Sequence, residues 1–331
     1  MELLKIKEVM DKNDLFVRMC AEYLNKYERA ITKETMQSIT DGNKTLDQSA
    51  FAHFLCSAFI DNEELENELF TEYFAPSIKK LSREEYLNNP YIQNIPINNQ
   101  KSGAWTLSYQ KYEPYEGFVR DDFTLYDNYR EVCNIGFFDE EFSFPTVFEN
   151  GVEWMAIKPN EIETMKEPIE RARGDIVTFG LGMGYFAYMT SLKDTVSSVT
   201  IVERDENVIS LFKAHILPHF ENKDKIKIVQ SDAFDFAKNI MPKSEFDYAF
   251  VDLWHDTSDG VDLYIKMKKL EHLSNKTKFE YWIEKSILVT IRKKIFYAIL
   301  ESDKKGQNKL TEKEIEKRLE FDYLREFVKF I

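Results

Sequence analysis

Cysteine is scarce in this chain. Cys20, Cys56 and Cys133 stand far apart, odd in number, and no CxxC pair occurs. Such a set excludes a disulfide framework and a thiolate zinc site. It reads as small apolar side chains in a reducing, cytoplasmic setting. No run approaches the 18 apolar residues of a membrane-crossing helix. The start, Met1-Glu-Leu-Leu-Lys-Ile-Lys-Glu, lacks the apolar core of a secretion signal. Positive charge is also in deficit, with 44 Lys and Arg against 58 Asp and Glu and a net charge of −14. That balance argues against a binder of phosphate backbones and suits a small cationic substrate. Neither a nucleic-acid nor a membrane partner is expected, and a homodimer stays open. His215 and His219 share i, i+4 spacing, but Pro218 lies between them and no HExxH glutamate accompanies them, so no metal is expected.

What is present is enough for a sizeable core: 331 residues, 43% of them hydrophobic. The length suits two domains or one enlarged domain. Residues 1–100 read as an N-terminal helical region. Leu15, Phe16, Met19, Cys20, Tyr23, Leu24 and Tyr27 recur at helical spacing. Within it, Asn88 to Gly103 reads as a connection, with two prolines and five asparagines. Residues 101–158 form a small β-rich segment dense in aromatics, from Trp105 and Tyr109 to Tyr129. These rings fit either a small-sheet core or a pocket lining. Residues 159–331 form the third part. Pro159-Asn160-Glu161-x-Glu163 predicts a helix capped by Asn160, with Glu163 completing a capping box. Strands are then predicted at 175–179, 199–202, 225–229 and 246–253, alternating with helices at 185–192 and 205–214. This alternation predicts an α/β fold, a doubly wound, mostly parallel sheet. From Phe279 onward a helical stripe is predicted, and Thr311 with Glu314 makes another capping box.

The chemistry gathers at predicted strand ends. The first strand runs into Gly180-x-Gly182-x-Gly184, followed by Tyr185. A dinucleotide site wants a third glycine where Tyr185 stands. The pattern therefore favours an adenosine ligand without a pyrophosphate, S-adenosylmethionine above all. Glu203 ends the second strand, about 20 residues on, where a carboxylate can accept from both ribose hydroxyls. Asp232 and Ala233 end the third and can face adenine. Asp252 ends the fourth, followed by Trp254, His255 and Asp256. Asp252 and His255 are the candidate bases. Trp254 can stack on substrate or fill the core. Asp256 and Asp259 can attract a cationic amine or cap the helix near Gly260.

With these motifs the chain resembles the class I S-adenosylmethionine-dependent methyltransferase fold, Rossmann-like, and within it the spermidine synthase-like branch. The resemblance spans about residues 174–270. It implies cofactor contacts at Gly180, Gly182, Gly184, Tyr185, Glu203, Asp232, Ala233 and Asp252. It implies that the Asp252 position faces the sulfonium and the substrate amine. Spermidine synthases carry an acid inside the glycine loop that reads the donor amine, and Met183 stands there. The expected activity is therefore methyl transfer from S-adenosylmethionine to a small-molecule acceptor. Aminopropyl transfer to a polyamine is the alternative, and a non-catalytic nucleoside-binding protein is a third.

Overall fold

Two groups of residues each build a core of their own in the computed structural model, which describes residues 3–307 and 310–331. The first unit comprises residues 1–86 and 111–143, and the second comprises 87–110 and 144–331.

In the first unit, helix Leu3–Lys26 buries Phe16, Met19, Cys20 and Tyr23 along one face, as their spacing predicts. They join Phe51, Tyr73, Phe74 and Phe137 in one apolar core, where Phe51 stacks on Phe137 at 4.3 Å. Strand Ile78–Lys80 falls in a stretch that reads as helical. It pairs in parallel with Glu131–Phe137, which in turn pairs antiparallel with Phe118–Leu125. This pairing draws 111–143 to the N-terminal helices. Asn13 locks the join: its carbonyl accepts from the Tyr73 hydroxyl (2.9 Å) and the Glu131 N–H (3.1 Å), and its amide donates to Tyr129 O (2.8 Å).

The second unit holds a four-stranded sheet in the order Gln100–Ser102, Trp105–Tyr112, Phe142–Glu149, Val152–Ala156. After it come helix α1 (Pro159–Arg171), β1 (Gly174–Phe179), α2 (Tyr185–Ser191) and β2 (Val196–Glu203). Then follow α3 (Glu206–His215), β3 (Ile226–Gln230), α4 (Ala233–Asn239), β4 (Tyr248–Val251), α5 (Thr257–Lys268), β5 (Lys278–Tyr281) and α6 (Glu284–Lys304). The five strands run β3-β2-β1-β4-β5, all parallel. This is the doubly wound α/β sheet that the alternation predicts. Ile176, Val177 and Phe179 of β1 are fully buried, as a central parallel strand requires. Chain order reverses between β1 and β4, and at such a point the carboxyl ends of the strands open a crevice.

Two local expectations are corrected. Asn160 does not cap α1. Pro159 takes the first helical position, where its fixed φ starts a helix, so Lys158 becomes the cap residue, without a side-chain bond. The stretch from Phe279 does not begin helical either. Lys278–Tyr281 adds a fifth strand beside β4 before α6 starts at Glu284. The capping box of Thr311 and Glu314 forms as predicted. Among the described residues no helix is long and apolar enough to cross a membrane.

Candidate functional site

The glycine loop is fixed by crowding. Gly180 has φ +98°, and a Cβ there would lie 2.0 Å from the Asp252 carbonyl oxygen. Gly184 has φ +73°, and its Cβ would meet the Phe212 ring at 2.4 Å. Only glycine serves at either position. The loop is also held from a segment that reads as a mere connection. There Asn89 caps a short helix, Pro90–Asn94. Its amide also donates to the Tyr185 hydroxyl (2.9 Å), Tyr91 donates to Met183 O (2.6 Å), and Asn94 donates to the Tyr188 hydroxyl (3.0 Å). Burial raises the Tyr91 and Tyr185 phenols well above their ordinary range. The Met183 side chain is fully buried.

Glu203 closes β2 with both carboxylate oxygens engaged. Oε1 accepts from the Arg204 and Asp205 N–H groups (2.7 and 2.9 Å), and Oε2 accepts from Leu181 N–H in the glycine loop (3.2 Å). Glu203 lines a cavity of about 310 Å³ together with Gly182, Arg204, Asp205, Trp105 and Trp154. That volume is at the lower end for small-molecule sites. The two indoles meet edge to face at 5.3 Å. Both tryptophans belong to the aromatic-rich segment predicted at 101–158, although only Trp105 is among the rings named there.

Asp232 follows β3 and caps α4: its Oδ1 accepts from Phe234 N–H (2.8 Å) and Asp235 N–H (3.1 Å). It is exposed, and Ala233 beside it is buried. Asp252 follows β4, and its N–H donates to Phe179 O (2.9 Å), which sets it against the start of the glycine loop. It lines a second, small cavity of about 10 Å³ with Gly180, Leu181, Tyr185 and Met165. Burial pushes its carboxyl up to about 7. Glu161 of α1, only 6% exposed, lies within reach of the Asp252 charge. Burial, and next the Asp252 charge, raise the Glu161 carboxyl well above its usual range, against the pull of Lys158. Nothing in the sequence marks Glu161, which looks like an ordinary acid of a helix start.

The residues after Asp252 divide. Trp254 lies in the core, 5% exposed, against Gly260 and parallel to Tyr281 at 6.4 Å. His255 is exposed; its Nδ1 lies 3.3 Å from Asp259 Oδ2, and its ring meets Trp154 edge-on at 4.1 Å. Asp256 caps α5 in a capping box with Asp259, accepting from Ser258 N–H at 2.6 Å. Ser258, through its side chain first and then its N–H, holds the Asp256 carboxyl below the usual range. Among the described residues no group of three or more His, Cys, Asp or Glu could hold a metal ion.

The site therefore offers a nucleoside-sized cavity on one side of the glycine loop and the half-buried Asp252 on the other. Comparison with known proteins bears on what such a site serves. No curated protein matches the chain. Among solved structures, spermidine synthase from Thermotoga maritima aligns at 14% identity and a TM-score of 0.32, over 41% of this chain and 48% of that one. A spermidine synthase in complex with the transition-state analogue AdoDATO aligns at 16% and 0.34, over 41% and 50%. The chain spans about half the length of each. The family model described as the spermine/spermidine synthase domain matches residues 126–298, just over half of the chain, and so takes in the glycine loop and the acids at the ends of β2, β3 and β4. The chain belongs to the spermine/spermidine synthase domain family.

Proposed function

We propose that this protein transfers an aminopropyl group from decarboxylated S-adenosylmethionine to an amine of a polyamine. Family membership favours this transfer over the methyl transfer expected from the sequence. The observation that carries the reading is the position of Asp252. It stands at the strand end beside the glycine loop, in a small cavity, with a carboxyl pushed up to about 7. An adenosine lies with its ribose hydroxyls on Glu203 and its sulfonium toward Asp252. The acceptor nitrogen attacks the methylene carbon bonded to sulfur; the N–C bond forms as the C–S bond breaks, and methylthioadenosine leaves. An acceptor amine is protonated near neutral pH and must lose a proton to attack. Asp252 can hold that proton, and His255, oriented by Asp259, is the second candidate.

Methyl transfer is the second reading. The observation favouring it is Met183, whose buried side chain leaves the loop without an acid of its own. Incubation with a diamine acceptor and either donor, followed by mass spectrometry, separates the readings. Methylthioadenosine from the decarboxylated donor is the expected product. S-adenosylhomocysteine from S-adenosylmethionine would establish methyl transfer instead. Tight binding without either product would point to a nucleoside-binding protein.

A further inference from the structure

Strand Val152–Ala156 pairs with Phe142–Glu149 through a register shift. Met155 opposes Val147 and Glu153 opposes Phe148, which leaves Trp154 as the extra residue of a β-bulge. In a regular strand Trp154 and Met155 would point to opposite faces. Here both reach the glycine loop. Trp154 lines the larger cavity with Gly182 and Glu203. Met155 lines the smaller one with Gly180 and Asp252, and a Cβ on Gly182 would lie 3.1 Å from its Sδ and its Cε. The Met155 thioether therefore rests over Gly182, between the two cavities. The smaller cavity, about 10 Å³, has room for one water-sized group. A donor with its ribose at Glu203 must bring sulfur, three methylenes and an amine past Gly182 toward Asp252. Some part of the wall must yield, and most of it is fixed. Thr178 of β1 and Ile201 of β2 are buried, Tyr185 is bonded to Asn89 (2.9 Å), and Met165 is 2% exposed. Met155 is half-buried and unbranched, so its thioether can turn toward solvent with the backbone in place.

We propose that Met155 is a gate between the nucleoside cavity and Asp252, and that it grades adenosyl ligands by the bulk they carry beyond the ribose. This rests on the placement of the donor in the reading above, from Glu203 to Asp252. Adenosine fills the larger cavity and leaves the thioether over Gly182. A ligand with a chain on sulfur must turn Met155 out, and its affinity is reduced by the fraction of molecules in which the gate stands open. Glycine at 182 lets the thioether rest so close, and the bulge aims it there. The gate acts on the length of the chain, and the charge of the chain plays no part in it.

Calorimetric titration with a ladder of three ligands tests this: adenosine, 5′-methylthioadenosine and decarboxylated S-adenosylmethionine. Met155→Ala removes the gate. Affinity should stay within about twofold for adenosine and rise about tenfold for the decarboxylated donor, the gain expected of a gate open about a tenth of the time. 5′-Methylthioadenosine should fall between them. Met155→Ile keeps the bulk but stiffens χ1, so donor affinity should drop several-fold with adenosine again unchanged. A thioether that merely packs against the donor predicts the opposite sign, a loss of donor affinity in Met155→Ala. That loss, an equal change for all three ligands, or no change for any, overturns the gate and leaves the aminopropyl reading standing. If no adenosyl compound binds the wild type or either variant, the reading fails and the gate with it. Should Met155→Ala fold poorly, the wild type decides through methionines carrying a ¹³C-labelled methyl. The resonance missing from the Met155→Ile spectrum should shift with the donor and stay in place with adenosine. Equal shifts with both would refute the gate.

Discussion

At the scale of single residues, Asp252 and Glu161 make stability depend on pH. Burial raises both carboxyls, so the folded chain binds their protons more tightly than the unfolded chain does. The stability they contribute is complete below about pH 4, the range of a free carboxyl. It is lost as pH rises through about 7, the value to which Asp252 is pushed. Glu161→Gln should therefore lift stability at pH 8 relative to wild type, and lift it little at pH 4. Urea unfolding at the two values reads this directly, and an equal gain at both would refute it. The place of Glu203, by contrast, was legible: it ends β2 and lines the larger cavity, where a carboxylate about 20 residues past a glycine loop is expected. Glu161 was hidden because its burial comes from where α1 packs, and a helix-start acid looks the same whether it faces water or the interior.

At the scale of elements, the short helix Pro90–Asn94 holds the glycine loop from outside. Tyr91 is fully buried, and its hydroxyl is the donor to Met183 O. Tyr91→Phe keeps the ring and removes the donor. It should cost about 1–3 kcal/mol in denaturant unfolding, because it strands a carbonyl in the core. Affinity for 5′-methylthioadenosine should fall as well; unchanged affinity would mean the clamp does not set the loop. Five residues carry too little of a helical period to be recognised, and the proline and asparagines around them read as loop. β5 was hidden for a related reason. Four residues of strand precede a long helix, and the helix's period dominates the window. β1 to β4 were legible because each ends in a turn signal and alternates with a helix of ordinary length.

At the scale of the molecule, charge and sheet order act together. The net charge of −14 draws cations from solution, and the draw weakens as salt screens it over about 10 Å at 0.1 M. For a polyamine acceptor, KM should rise several-fold between 20 and 200 mM salt, with binding of uncharged 5′-methylthioadenosine nearly constant. A KM indifferent to salt would remove steering from the account. The order β3-β2-β1-β4-β5 gathers Gly180, Glu203, Asp232 and Asp252 at one edge of the sheet, because every parallel crossover returns the chain to the opposite edge before the next strand begins. That opposite edge is left for handling the protein. Asn275 and Lys276 are exposed there, just ahead of β5 and about 13 Å of strand from the carboxyl ends. A dye, an affinity tag or a surface tether fixed at Lys276 should report on the protein without blocking the crevice at the carboxyl ends.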